Sequence, residues 1–189
     1  VVCCYVGHAT DQEITERASS GGIVTAVTDY LVREKVVDAA ILTGMGATRP
    51  LEPRTIVARH RMEILSGSGS KYCPVHLADG IKYVMHHEGR YAIVGLPCHI
   101  EGMRKAEAMI PKLAGRIPLH IGLFCNHTVS FVGTEFLLKK MHVKADEVSN
   151  LTYRSKGWYN GGMTVQLKEG SEKFMPLQLY WGCFLDHFF

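Results

Sequence analysis

Three short apolar runs, "VVDAAILTGM", "YAIVGL" and "IPLHIGLF", alternate with stretches whose apolar residues recur at helical spacing. Runs of this length without polar alternation read as strands covered on both faces, and the helices between them supply the cover. The alternation predicts an α/β (α+β mixed) chain. A central, mostly parallel or mixed sheet is flanked by helices, and a strand-rich C-terminal part follows. One helix is expected to carry Ile23, Val24, Val27, Tyr30 and Leu31 on one face. Another carries Leu77, Ile81, Val84 and Met85 and ends at Gly89, with the histidines of "MHHEG" favourable at its C-terminus. Two more are expected from about Ile100 to Met109 and from about Phe131 to Met141. "TIVARH" reads as a strand paired with the first across "GATRPLEP", whose prolines break regular structure. "GMTVQLKEG" reads as a further strand closed by a turn. Residues 1–150 are expected to form one α/β domain, and 151–189 the start of a C-terminal region.

Composition narrows the function classes. The chain has 189 residues, of which 47% are apolar, enough to bury a core. Its 21 basic and 18 acidic residues give a net charge of +3, too mild to argue for nucleic acid. No apolar run reaches the length of a membrane span, and "VVCCYVGHATDQE" lacks the pattern of a signal peptide. The chain begins without Met and ends in the apolar "YWGCFLDHFF", so a longer parent protein is expected. Six cysteines are scattered through a patterned chain, which points to reduced, cytoplasmic thiols rather than a disulfide scaffold. Cys3 and Cys4 lie in a strand-like run and are expected in the core, and the methionines read as core filler.

Two loops invite an anion. In "SSGG", Ser19 or Ser20 can cap the helix that follows, while Gly21 and Gly22 allow a ligand close to the backbone. A helix start offers unpaired N–H groups and the positive end of the dipole. "ILSGSGSKYCP" can form a nest of amides with Lys71 beside it, although it is not a P-loop. An ordinary cap and a surface turn are the plainer alternatives. Two such loops in one α/β domain point to a nucleotide-like cofactor.

"YAIVGLPCHIEGMRK" and "IPLHIGLFCNH" share strand–Gly–Leu–x–Cys, so Cys98 and Cys125 each fall just past the carboxyl end of a predicted strand. Ligands of open α/β sheets bind at that edge. Thiolates there suit an iron–sulfur cluster or zinc, and packing as small hydrophobes is the alternative. His99, His127 and Cys183 are further candidate ligands. Arg154, Lys156 and Trp158 in "YRSKGWYNGG" can bind an acidic, aromatic molecule or simply form a solvated turn.

"ERASSGGIVTAVTDYL", "GSGSKYCP", "VGLPCHIEGMRK", "IGLFCNH" and "YRSKGW" occur in the order found in the coenzyme F420 hydrogenase/dehydrogenase β-subunit family, which the chain resembles over roughly residues 5–160. The resemblance implies an oxidoreductase that binds FAD and a [4Fe–4S] cluster, exchanges hydride with coenzyme F420 as substrate, and works with other subunits of a redox complex. It implies that Ser19, Ser20, Gly21, Gly22 and Thr25 lie along FAD, with Ser66, Gly67, Ser68, Gly69, Ser70, Lys71 and Tyr72. It implies too that Cys98 and Cys125 are cluster ligands. By the same resemblance, Arg154, Lys156 and Trp158 would border the flavin or the acidic tail of F420. Members of the family usually carry a later Cys-x-x-Cys-x-Asp element, and "LDHFF" stops short of it. A zinc-stabilised binding module, or a transferase with Cys98 as nucleophile, are the rival readings.

Overall fold

Strand order in the first sheet decides where the candidate residues lie. The computed structural model describes residues 2–125, 128–157 and 160–188, with 184–188 described by backbone alone. Strand β1 (Ala39–Met45) pairs antiparallel with β2 (Pro53–Ala58) and parallel with β3 (Tyr91–Gly95), which pairs parallel with β4 (Leu119–Gly122). The order is β2–β1–β3–β4, a mixed sheet as expected. The β1–β2 hairpin forms across the predicted loop, but β2 starts at Pro53, inside that loop. An edge strand tolerates a residue without an N–H.

Alternate residues of each strand feed two cores. Ala39, Ile41, Tyr91 and Ile93 face α4 (Ala78–His86) and α5 (Pro97–Met109), packing with Val84 and Met103. Ala40, Leu42 and Ala92 face α2 (Ile23–Arg33) and α3 (Arg61–Ser66), packing with Leu31 and Ile64. Burial of a side chain such as Ile41 or Ile93 contributes about 1.5–3 kcal/mol. A Cβ on Gly80 would run into the side chains of Ile41 and Thr55, so a glycine is what lets α4 lie this close to the sheet.

The strand-rich C-terminal part is a second, antiparallel sheet in the order β5 (Val148–Ser155), β6 (Gly162–Leu167), β7 (Glu172–Pro176). Helices α6 (Phe131–Lys140) and α7 (Leu177–Phe188) pack on it, with Leu137, Leu138, Leu151, Tyr153, Met163 and Tyr180 fully buried. The expected division after residue 150 falls inside β5, and α6, which precedes it, belongs to the second core.

Several local expectations need correction. Leu31 is buried, but Ile23, Val27 and Tyr30 of the predicted α2 face are 44%, 42% and 53% exposed. The helix buries Thr28 and Asp29 instead. Both polar groups are satisfied there: Thr28 Oγ1 donates to the Val24 carbonyl, and Asp29 pairs with Arg61 and Arg33. Cys3 and Cys4 are exposed and lie in no strand, because a strand-like pattern needs a partner ladder and residues 2–8 have none. Met103, Met163 and Met175 are core, whereas Met62 and Met109 are exposed. Helix α5 begins at Pro97, where proline suits the first helical position. Strand β4 stops at Gly122, leaving Phe124 fully exposed. The helix α1 (Gln12–Arg17) and α3 were not anticipated; each has 6 residues, too short for a periodic pattern to stand out.

Candidate functional site

The parallel strands β1 and β3 end beside α2's first turn, and there the structure opens a cleft of about 590 Å³. Its walls come from both predicted loops. Ser19 through Thr25 line one side and Gly67 through Cys73 the other. Leu42, Ile64, Val94 and Leu96 form an apolar floor, and Trp181 of α7 closes part of the rim.

Neither Ser19 nor Ser20 caps α2. The N-cap is Gly22, in the left-handed region at φ 73°, with no side-chain bond to the helix. A residue with a Cβ is disfavoured there, and that Cβ would lie 2.9 Å from Ile14 Cγ2. Among the described residues none accepts from the amides of Ile23, Val24 or Thr25. The cleft therefore meets an open helix start of an 11-residue helix, with its amides and positive dipole end.

The serines knit the loops together instead. Ser19 Oγ accepts from the Ser70 N–H at 2.7 Å, and Thr25 Oγ1 and Ser68 Oγ share a hydrogen bond at 3.3 Å. Ala9 N–H donates to the Gly21 carbonyl at 2.7 Å, tying in the N-terminal segment. Ser66 is exposed, bonds the Glu63 carbonyl and does not line the cleft. Tyr72 lines it, with its ring edge-on to Trp181 at 5.2 Å. Lys71 is turned inward on its own loop: its Nζ donates to the carbonyls of Gly67, Ser68 and Gly69 at 2.6, 2.9 and 2.9 Å. Burial lowers its pKa to about 8. Cys73 behind it is buried, and burial pushes its thiol up, away from thiolate chemistry.

Arg154 and Lys156 lie outside the cleft wall. Arg154 is buried on β5 and donates to the Ser19 carbonyl at 2.9 Å and to the Tyr72 hydroxyl at 3.4 Å. It braces both loops from behind. Lys156 pairs with Glu172 at 3.4 Å and lies over the Phe174 ring. Trp158 and His127 fall outside the described residues.

The two cysteines are placed alike. Strands β3 and β4 are parallel neighbours with Gly95 opposite Gly122, so Cys98 and Cys125 follow their strands at the same offset. Both are exposed. Cys125 lines the cleft, and Cys98 stands at the second position of α5, off its wall. Among the described residues no group of three or more His, Cys, Asp or Glu converges as a metal site. His99 lines the cleft with both ring nitrogens engaged: Nδ1 accepts from the Leu96 N–H at 3.2 Å, and Nε2 meets the Val75 carbonyl at 3.1 Å. Either nitrogen would have to give up its bond before it could bind a metal. Cys183 is packed beside the second core. The apolar floor and Trp181 carried no sequence signal of their own, since contacts made across the fold leave no local spacing.

Residues 4–82 match the family model described as coenzyme F420 hydrogenase/dehydrogenase, beta subunit N-term, and residues 88–187 match the companion model for the C terminus of the same beta subunit. The chain is 31% identical over 129 residues to the coenzyme F420 hydrogenase subunit beta of Methanosarcina barkeri, covering 66% of this chain and 44% of that protein. It is 26% identical to the corresponding subunit of Methanothermobacter thermautotrophicus, covering 86% of this chain and 61% of that one. It is also 26% identical to the F420-dependent formate dehydrogenase subunit beta of Methanocaldococcus jannaschii, covering 90% and 44%. A chain in the F420-reducing [NiFe] hydrogenase complex from Methanosarcina barkeri shares the fold, with a TM-score of 0.67 at 23% identity, covering 94% of this chain and 62% of that chain. The chain thus spans 44% to 61% of these curated relatives.

Proposed function

Because the chain belongs to the coenzyme F420 hydrogenase/dehydrogenase beta subunit family, we propose that it is the cofactor-binding part of an oxidoreductase subunit that exchanges a hydride with coenzyme F420. The observation that carries this reading is the meeting of two Gly/Ser loops at one cleft, on the carboxyl edge of parallel strands, with unclaimed amides at the α2 start. That combination suits a dinucleotide: amides for the diphosphate and an apolar floor for a ring system.

FAD is the cofactor we assign to the cleft; when bound, it supplies the conversion between hydride transfer and single-electron transfer. The chain's residues bind and orient it. The amides of Ile23, Val24 and Thr25, with that of Gly69, would hold the diphosphate. Leu42, Ile64, Val94 and Leu96 would keep water from the ring. Cys98 and Cys125 would be two thiolate ligands of a [4Fe–4S] cluster. Such a cluster takes four, so the remaining ligands would come from other parts of the protein. The matched relatives are named as subunits, which supports a role inside a multi-subunit redox complex. Among the described residues no helix is long and apolar enough to cross a membrane.

The test is anaerobic reconstitution of the full-length protein with iron, sulfide and FAD, followed by absorption spectra with and without reduced F420. The expected result is a bound flavin that bleaches when reduced F420 is added, as the F420 itself is oxidised. A colourless protein that leaves reduced F420 untouched removes the reading. Zinc without iron or flavin, by metal analysis, supports the binding module instead.

A further inference from the structure

We propose that Lys71 is a positioning residue: caged by the carbonyls of its own loop, its ammonium seats residues 66–72 on residues 18–22 and turns the Gly69 amide toward the ligand, rather than touching the ligand itself. The proposal rests on the FAD reading only in naming that ligand.

An ammonium has three N–H donors and no acceptor. Lys71 Nζ has three carbonyl partners at 2.6–2.9 Å, all from Gly67, Ser68 and Gly69. None of its protons remains for a phosphate while the cage is closed. The peptide group is planar and trans, so each C=O opposes the N–H of the next residue. Drawing the carbonyls of residues 67, 68 and 69 inward therefore turns the amides of 68, 69 and 70 outward. The Ser68 N–H closes back on the Leu65 carbonyl at 3.0 Å. The Ser70 N–H reaches Ser19 Oγ on the other loop. Gly69, at φ 79° and lining the cleft, keeps an amide with no acceptor among the described residues. The left-handed conformation needed there is open to glycine at little cost.

The Cys73 thiol, two residues on, is the titratable group acting on Lys71. Tyr153 and Arg154 on β5 and Tyr180 on α7 stand behind it, through Cys73 and Tyr72. Burial brings the Lys71 pKa down to about 8. Below that value the ammonium keeps its charge, so the cage is compared among variants at about pH 7.

The experiment uses the full-length protein as wild type, Lys71→Met and Lys71→Arg. Hydrogen exchange, read as protection factors, reports the Ser68–Ser70 amides at about pH 7. FAD affinity is measured at the same pH by flavin fluorescence. In Lys71→Met, Ser70 protection and FAD affinity are expected to fall together, each about tenfold, the size of one or two lost net hydrogen bonds. Lys71→Arg keeps a charged donor and should retain part of both. Wild-type protection in Lys71→Met would overturn the proposal. So would weaker FAD binding with loop protection intact, which is the signature of direct contact. If the loop behaves as expected but no variant binds FAD, the seating by Lys71 stands and the cofactor assignment falls.

Discussion

Residue by residue, the two cysteines repeat one solution. Each follows a glycine-ended parallel strand at the same offset, and each is exposed where a packed thiol would be buried. The substitutions Cys98→Ser and Cys125→Ser are therefore expected to fold with little loss of stability, since neither thiol contributes to a core. In the anaerobically reconstituted full-length protein, each should lower bound iron and bleach the cluster absorption while flavin stays bound. A Cys98→Ser protein with full iron content, but with a lost group-transfer activity, would favour the nucleophile reading instead. Cys73 is the contrast: buried and raised in pKa, it should resist alkylation in the native state at neutral pH.

At the level of elements, the helices that lead into the two loops are joined by one guanidinium. Arg61 opens α3 and pairs with Asp11 at 2.8 Å, Glu13 at 3.2 Å and Asp29 at 3.2 Å. Asp11 caps α1, and its carboxyl is held below its ordinary value by the Ile14 N–H and then by Arg61. A depressed carboxylate pKa stabilises the fold above the ordinary value of 3.8, and that contribution is lost as pH falls from there through the lowered, folded-state value. Arg61→Gln should lower the melting temperature by a few degrees at neutral pH, because three carboxylates lose their shared cation. Its melting temperature should also fall less steeply than that of the wild type below about pH 4. Parallel acid profiles of the two proteins would show that Arg61 does not set this dependence. The bond from Ile14 survives the change, so part of the acid sensitivity should remain.

For the whole molecule, Arg154 links the second sheet to both loops of the first. Arg154→Leu leaves the half-buried Ser19 carbonyl without the donor that buried Arg154 supplies, a loss of about 1.5–3 kcal/mol for a bond from a charged group. Thermal unfolding should register it. Hydrogen exchange should show faster opening of residues 18–22 and 66–72, with β5–β7 little changed. Loss confined to the second sheet would mean that Arg154 serves only its own core.

The alternation of apolar runs and helical stretches was enough to specify the mixed sheet, its hairpin and the two cysteines at one edge, because side-chain period and chain order are local properties. Glycine-rich loops were legible for the same reason, since small residues next to an apolar helical pattern mark where backbone stays open. Only the tertiary structure decided what Ser19, Lys71 and Arg154 do. Their partners lie in other loops or on their own backbone, and a hydrogen bond across the fold leaves no spacing in the chain. The exposed face of α2 has the same origin: Thr28 and Asp29 find partners inside, so the apolar stripe of Ile23, Val27 and Tyr30 is left to the surface.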